Sequence, residues 1–148
     1  MLEIFSELVK FDNKYHLIYV GQGVLEKEVK ESIDKLEIGD KITRIKYTNE
    51  VDQLMKISDV FLLPSLYEGM PIVLVEAQAS NLKCFVSNTI TEMSSCGLCI
   101  YISLDKDAKA WAKIIHDNIT KDDMKLDCER LNKFSIETTT KRMTEIYG

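Results

Sequence analysis

No apolar run among these 148 residues approaches the roughly 20 needed to cross a bilayer, so no spanning helix is expected. The amino terminus, Met1-Leu-Glu-Ile-Phe-Ser-Glu7, is acidic and amphipathic and shows no secretory leader. Basic charge is in deficit. Against 24 Asp and Glu stand 19 Lys and Arg, a net charge of −5 that argues against a nucleic-acid partner. Four cysteines without a leader imply reduced thiols and a cytoplasmic location. Cys84 lies in an apolar strand and reads as core. Cys96-Gly-Leu-Cys99 has the inner spacing of a zinc knuckle. No second such pair follows, and His16 and His116 fall on other elements, so no metal site is expected. Low-complexity tracts, linkers and internal repeats are also missing, and the length suits one domain over 1–148.

Some familiar chemistry is missing as well. No Ser/His/Asp or Cys/His grouping stands out, and there is no Gly-x4-Gly-Lys-Ser/Thr phosphate loop. Gly21-Gln-Gly23 follows a strand, but Glu26 stands where a dinucleotide fingerprint needs its third glycine, so the segment reads as a tight turn.

What is present is an alternation. Strands are expected over 16–20, 42–47, 60–63, 83–87 and 98–102. Helices are expected over 2–9, 24–36, 50–57, 71–79, 108–119, about 121–132 and 136–147. Such alternation predicts an α/β fold, a parallel sheet with helices on both faces.

One segment carries chemistry: Pro64-Ser-Leu-Tyr-Glu-Gly-Met-Pro-Ile-Val-Leu-Val-Glu76. It follows Val60-Phe-Leu-Leu63, which reads as a buried parallel strand. It turns at Glu68-Gly69-Met70 and starts a helix with Pro71 at the first helical position. Glu68 then sits at the carboxyl end of a strand, and Glu76 about a turn and a half into the helix. Strand end, glycine turn and free helix amides suit an anionic ligand, and two carboxylates on the rim suit hydroxyl groups. The spacing alone is uninformative, because Glu129/Glu137 and Glu137/Glu145 repeat it in a charged stretch. A plain alternative for Glu68 is a carboxylate capping the helix start. The helix 71–79 is apolar almost all round, so it should be buried on most sides. Glu76 would then need a partner, and the alternative to a ligand is a salt bridge to a core-edge Lys or Arg.

The block resembles the Glu-x7-Glu segment of retaining nucleotide-sugar glycosyltransferases of the GT-B fold, family 4. Leu17-Ile-Tyr-Val-Gly-Gln-Gly23 is similar to the second strand and glycine turn of that family's carboxyl-terminal Rossmann-like domain. Met55-Lys-Ile-Ser-Asp-Val-Phe-Leu-Leu-Pro-Ser65 is similar to its fourth strand, and Glu76-Ala-Gln-Ala-Ser-Asn-Leu-Lys-Cys-Phe-Val-Ser-Asn88 to the helix and fifth strand beyond. Ile102-Ser-Leu-Asp105 with Ala110-Trp-Ala-Lys113 resembles capsule and exopolysaccharide transferases of Gram-positive bacteria.

The resemblance implies a nucleotide-sugar-binding domain that moves a hexosyl group from a UDP-type donor, with no cofactor beyond that donor. Glu68 would face the reacting sugar as the catalytic residue. Amides of Gly69, Met70 and Ile72, beside Pro71, would lie against sugar and phosphates, and Glu76 would grip the ribose hydroxyls. The acceptor, a glycan or lipid-linked sugar, would be held by an amino-terminal domain that these residues do not contain, and the full enzyme would associate peripherally with a membrane. The family's domain also opens with one more strand, whose loop brings an Arg and a Lys to the diphosphate. Here the nearest candidates for that role are Lys83 and Arg44, on a different strand start and an uncertain strand. In the order 3-2-1-4-5-6 that strand is central, so a fragment unable to transfer sugar alone is expected. Two other readings remain: a non-catalytic module binding a nucleotide or a protein, and a receiver-like or flavodoxin-like domain. The last lacks acidic residues at the carboxyl end of strand 17–20.

Overall fold

The computed structural model describes residues 1–147. The chain divides into two compact units, Met1–Gln53 with Asp105–Thr120, and Leu54–Leu104 with the residues from Lys121 onward.

The first unit holds α1 (Leu2–Phe11), β1 (Leu17–Val20), α2 (Glu26–Lys35), β2 (Ile42–Ile45) and, later in the chain, α5 (Ala108–Asn118). β1 and β2 pair in parallel, with Leu17 opposite Ile42 and Val20 opposite Ile45. The helical spacing of Leu2, Phe5 and Val9 turns one face of α1 inward. Phe5 packs there with Ile33 and Ile38, joined by Leu17, Val29 and Ile42. Trp111, Ala112 and Ile115 bury the matching face of α5. His116 stacks on Phe11 at 5.0 Å between ring centroids, and its Nδ1 lies 2.9 Å from the Tyr15 hydroxyl.

α3 (Val51–Lys56) carries the chain from one unit into the other. The second unit holds β3 (Val60–Leu63), α4 (Ile72–Ala79), β4 (Lys83–Ser87), β5 (Cys99–Ile102), α6 (Cys128–Asn132) and α7 (Ile136–Tyr147). Its sheet runs β3-β4-β5, all parallel, with Val60 opposite Lys83 and Cys84 opposite Cys99. The central strand is the driest: Cys84, Phe85, Val86 and Ser87 are buried.

The α/β class, the parallel pairing and the alternation are as the sequence predicts. The strands form two sheets, however, of two and three strands. β3 is half-buried at every residue, not fully buried as its apolar run suggests. It is an edge strand, paired on one side only. Helix 121–132 shrinks to Cys128–Asn132. Residues 121–127 form no regular element and are engaged by tertiary contacts instead. The Lys83 ammonium pairs with Asp123 at 3.3 Å, and the Asp127 amide donates to the Cys96 carbonyl at 2.7 Å. No helix among the described residues is long and apolar enough to cross a membrane.

Candidate functional site

β3 ends at Leu63, and the chain turns over Pro64–Met70 before α4 begins. Ser65 organises this turn. Its hydroxyl donates to Glu68 Oε1 at 2.9 Å, and its carbonyl accepts from Thr89 Oγ1 at 3.1 Å and from the Ser87 hydroxyl. The carboxyl end of the buried strand β4 therefore pins the turn, and the turn pins a half-buried Glu68. Glu68 does not cap the helix, because α4 has no side-chain cap at all.

Pro71 takes the N-cap position in extended conformation, and Ile72 is the first helical residue, one later than expected. The offset is small in consequence, because the Pro71 carbonyl accepts the Leu74 amide at 3.0 Å. The first turn holds no acidic residue, so the positive end of the helix dipole is left uncompensated. A Cβ added at Gly69 would meet no atom within 4 Å, and its φ is not positive. Neither sterics nor backbone conformation of the folded chain calls for glycine there. An approaching ligand would.

α4 is not buried all round. Leu74, Val75, Ala77 and Gln78 face inward, while Ile72, Glu76 and Ala79 form an exposed stripe along one side. Glu76 thus stands in the open, and no hydrogen bond or ion pair to another described residue engages its carboxylate. The expected burial fails because helix composition alone does not say how many neighbours a helix has.

What holds α4 is a residue the sequence reading passed over. Gln78 is fully buried. Its Oε1 accepts the amides of Cys96 at 2.6 Å and Leu98 at 3.3 Å. Its Nε2 donates to the carbonyls of Leu74 at 3.0 Å and Ser94 at 2.9 Å. All the amide's capacity is used. The available signal was a lone amide in an apolar helix. Ser65 and Ser87 were also missed. Their signal was a serine just past the end of one apolar strand and another closing the next.

Lys83 and Arg44, the candidates for the family's phosphate-gripping pair, are committed elsewhere. Lys83 opens β4, at the end opposite Ser87, and pairs with Asp123. Arg44 pairs with Glu26 at 3.4 Å in the first unit. Among the described residues no cluster of three or more His, Cys, Asp or Glu is placed to hold a metal. A cavity of 390 Å³ in the first unit, lined by Tyr19, Val29, Ser32 and Lys35 among others, involves none of the 64–76 segment.

Parallel strands feeding helices, with an open helix start at the carboxyl end of a strand, define a Rossmann-like α/β protein. The chain belongs to the family of glycosyl transferases group 1, whose family model matches residues 1–133. It is similar to EpsF of Bacillus subtilis (strain 168), 35% identical over 117 residues that cover 78% of this chain and 30% of EpsF. It is also similar to the Escherichia coli UDP-Gal:alpha-D-GlcNAc-diphosphoundecaprenol alpha-1,3-galactosyltransferase, 35% identical over 91 residues, covering 57% of this chain and 24% of that protein. The chain therefore spans less than a third of the length of either relative. In fold it matches the GT-B enzymes pneumococcal O-GlcNAc transferase GtfA, solved with UDP and GlcNAc, and WaaG, a glycosyltransferase of lipopolysaccharide biosynthesis. The TM-scores are 0.77 and 0.69, at 16% and 18% identity, over 98% and 94% of this chain and 31% and 38% of theirs.

Proposed function

We propose that this chain is the donor-binding part of a retaining glycosyltransferase that moves a hexosyl group from a UDP-type sugar to a polysaccharide or lipid-linked acceptor. The observation that carries it is the pairing of a fixed and a free carboxylate around an open helix start. Glu68 is locked by Ser65, and Glu76 is exposed and unengaged on the outer stripe of α4. In this reading the helix amides at Ile72 and beyond, with those of Gly69 and Met70, lie against the diphosphate. Their partial charge offsets the negative charge that develops on the leaving group. Glu76 accepts from the ribose hydroxyls, and Glu68 faces the sugar. The family supports sugar transfer. The UDP-Gal and diphosphoundecaprenol in one relative's name, and the UDP bound in GtfA, favour a UDP donor and a lipid-linked acceptor. A nucleotide-sugar donor suits a cytoplasmic reaction, and a lipid-linked acceptor suits peripheral attachment of the whole enzyme to a membrane.

Calorimetry with UDP, GDP and their sugars tests the reading. UDP should bind, and Glu76→Ala should weaken plain UDP by about tenfold or more, the worth of a charge-assisted hydrogen bond of roughly 1.5–3 kcal/mol. Glu68→Ala should cost less, because UDP alone carries no sugar for it to face. Equal losses from the two changes would contradict the assignment. The 148 residues alone should bind without transferring, since positioning the acceptor supplies much of the barrier reduction. Turnover of radiolabelled UDP-hexoses above a Glu68→Ala control would overturn that part.

A further inference from the structure

At the end of β4 opposite Ser87 lies chemistry that sugar transfer does not use. Cys84 and Cys99 are register partners on neighbouring parallel strands. Paired residues on adjacent strands project to the same face, and the strands run about 4.8 Å apart, inside the Cα separations a disulfide spans. The two sulfurs are close enough to perturb each other's ionisation. Cys84 is fully buried and also donates to the Leu82 carbonyl at 3.3 Å, while Cys99 is half-buried and reachable. Beside Cys99 stand the Ser95 and Tyr101 hydroxyls. The Tyr101 hydroxyl is buried beside the Cys99 sulfur.

The electrostatics polarise the pair. The neighbouring Cys84 sulfur, helped by the Ser95 and Tyr101 hydroxyls, pulls the Cys99 thiol below its ordinary value against the opposing effect of burial. The same contact, with burial, pushes Cys84 up. Of the two thiols Cys99 is therefore the more readily deprotonated and the more nucleophilic, and Cys84 keeps its proton longer.

We propose that Cys99 and Cys84 form a redox modification site, a dithiol that a hydroperoxide converts to a reversible cross-strand disulfide. The Cys99 thiolate attacks one oxygen of the peroxide. The O–O bond breaks, the leaving alkoxide or hydroxide takes up a proton, and Cys99 becomes a sulfenic acid, oxidised by two electrons. The Tyr101 hydroxyl, beside Cys99, can donate to the new oxygen. Cys84 then attacks the Cys99 sulfur and gives up its proton. The S–O bond breaks and water leaves. In sum, two thiols and ROOH give one disulfide, ROH and water. The bond ties β4 to β5, and a dithiol reductant restores both thiols.

The test exposes the whole chain to hydrogen peroxide, alkylates the remaining thiols and maps the products by mass spectrometry. Cleavage after Glu92 and Leu98 separates Cys84, Cys96 and Cys99. The expected result is loss of two of the four thiols within one chain, a Cys84–Cys99 link and full reversal by dithiothreitol. Before oxidation, Cys99 should alkylate at least about tenfold faster than Cys84 or Cys96. Cys99→Ser, at a half-exposed position, should abolish the link. Cys84→Ala, if it folds, should leave a sulfenic acid at Cys99 that dimedone traps. A link from Cys96 to Cys99, oxidation only at the exposed Cys128 with dimers between chains, or four surviving thiols under conditions that oxidise glutathione would each overturn the proposal.

Discussion

Two segments of this chain share one plan, strand, glycine turn, helix, and differ in what they do with the helix start. β1 leads through Gly21-Gln-Gly23 into α2, and β3 leads through Glu68-Gly69-Met70 into α4. The first turn of α2 already carries Glu26 and Glu28, and Glu26 is tied to Arg44 at 3.4 Å and Lys46 at 3.2 Å. Its positive end has its anions built in. The first turn of α4 holds none, and the turn before it is pinned by Ser65, Ser87 and Thr89. The attachment of the helices differs too. α2 buries only Ile33, whereas α4 buries four residues, including a fully bonded Gln78. The lesson is that a strand–turn–helix becomes a candidate ligand site when its own residues leave the helix amides unanswered and the core holds them still. The shape alone does not suffice.

The sharpest way to break the comparison is to unfasten α4. Gln78→Ala strips partners from the Cys96 and Leu98 amides in a dry interior and opens a cavity. The expected loss is roughly 2–5 kcal/mol in urea unfolding. The matching truncation of exposed Lys30 on α2 should stay within about 0.5 kcal/mol. A loss below 1 kcal/mol for Gln78→Ala would show that the network is incidental.

Glycines separate structural from functional need in the same unit. Gly97 has φ +95°, and a Cβ there would lie 2.4 Å from the Lys125 carbonyl oxygen. Gly97→Ala should cost about 1–3 kcal/mol. Gly69→Ala meets open space, so stability should change by no more than about 0.5 kcal/mol while UDP binding weakens. If Gly69→Ala left UDP affinity untouched, no ligand approaches that backbone closely.

The smallest effect comes from exchanging the helix starts' charge. Ile72→Glu supplies α4 with the anion that α2 already has, and should stabilise the helix by about 0.3–1 kcal/mol while weakening UDP. Glu26→Gln weakens both of its partly exposed ion pairs, to Arg44 and Lys46, and should change stability by about 1 kcal/mol or less. Stronger UDP binding by the Ile72→Glu protein would mean that the nucleotide does not lie at this helix.

Much of this architecture can be read locally. Strands 60–63 and 83–87 end where their apolar runs end, because such runs are bounded by the residues that start the next turn. Pro71 marks the start of α4 to within one residue through its fixed φ. The Glu68–Glu76 segment stood out because strand, turn and helix succeed one another inside it. Long-range partners were not legible. Helical periodicity over 121–132 lost to contacts with Lys83 and Cys96, which come from far along the chain. Glu76 was expected to be hidden and is exposed, while Gln78, two residues on, is hidden and was not singled out.

By itself, then, the sequence determined the parallel α/β alternation and the position of the strand–turn–helix that holds both carboxylates, since both follow from short-range periodicity and fixed backbone preferences. Only the tertiary structure decided which side of α4 faces outward, that Ser87 on β4 anchors the turn bearing Glu68, and that Cys84 and Cys99 stand side by side. Those outcomes depend on which surfaces meet across the sheet. That is set by the packing of residues distant in sequence, and no window along the chain contains it.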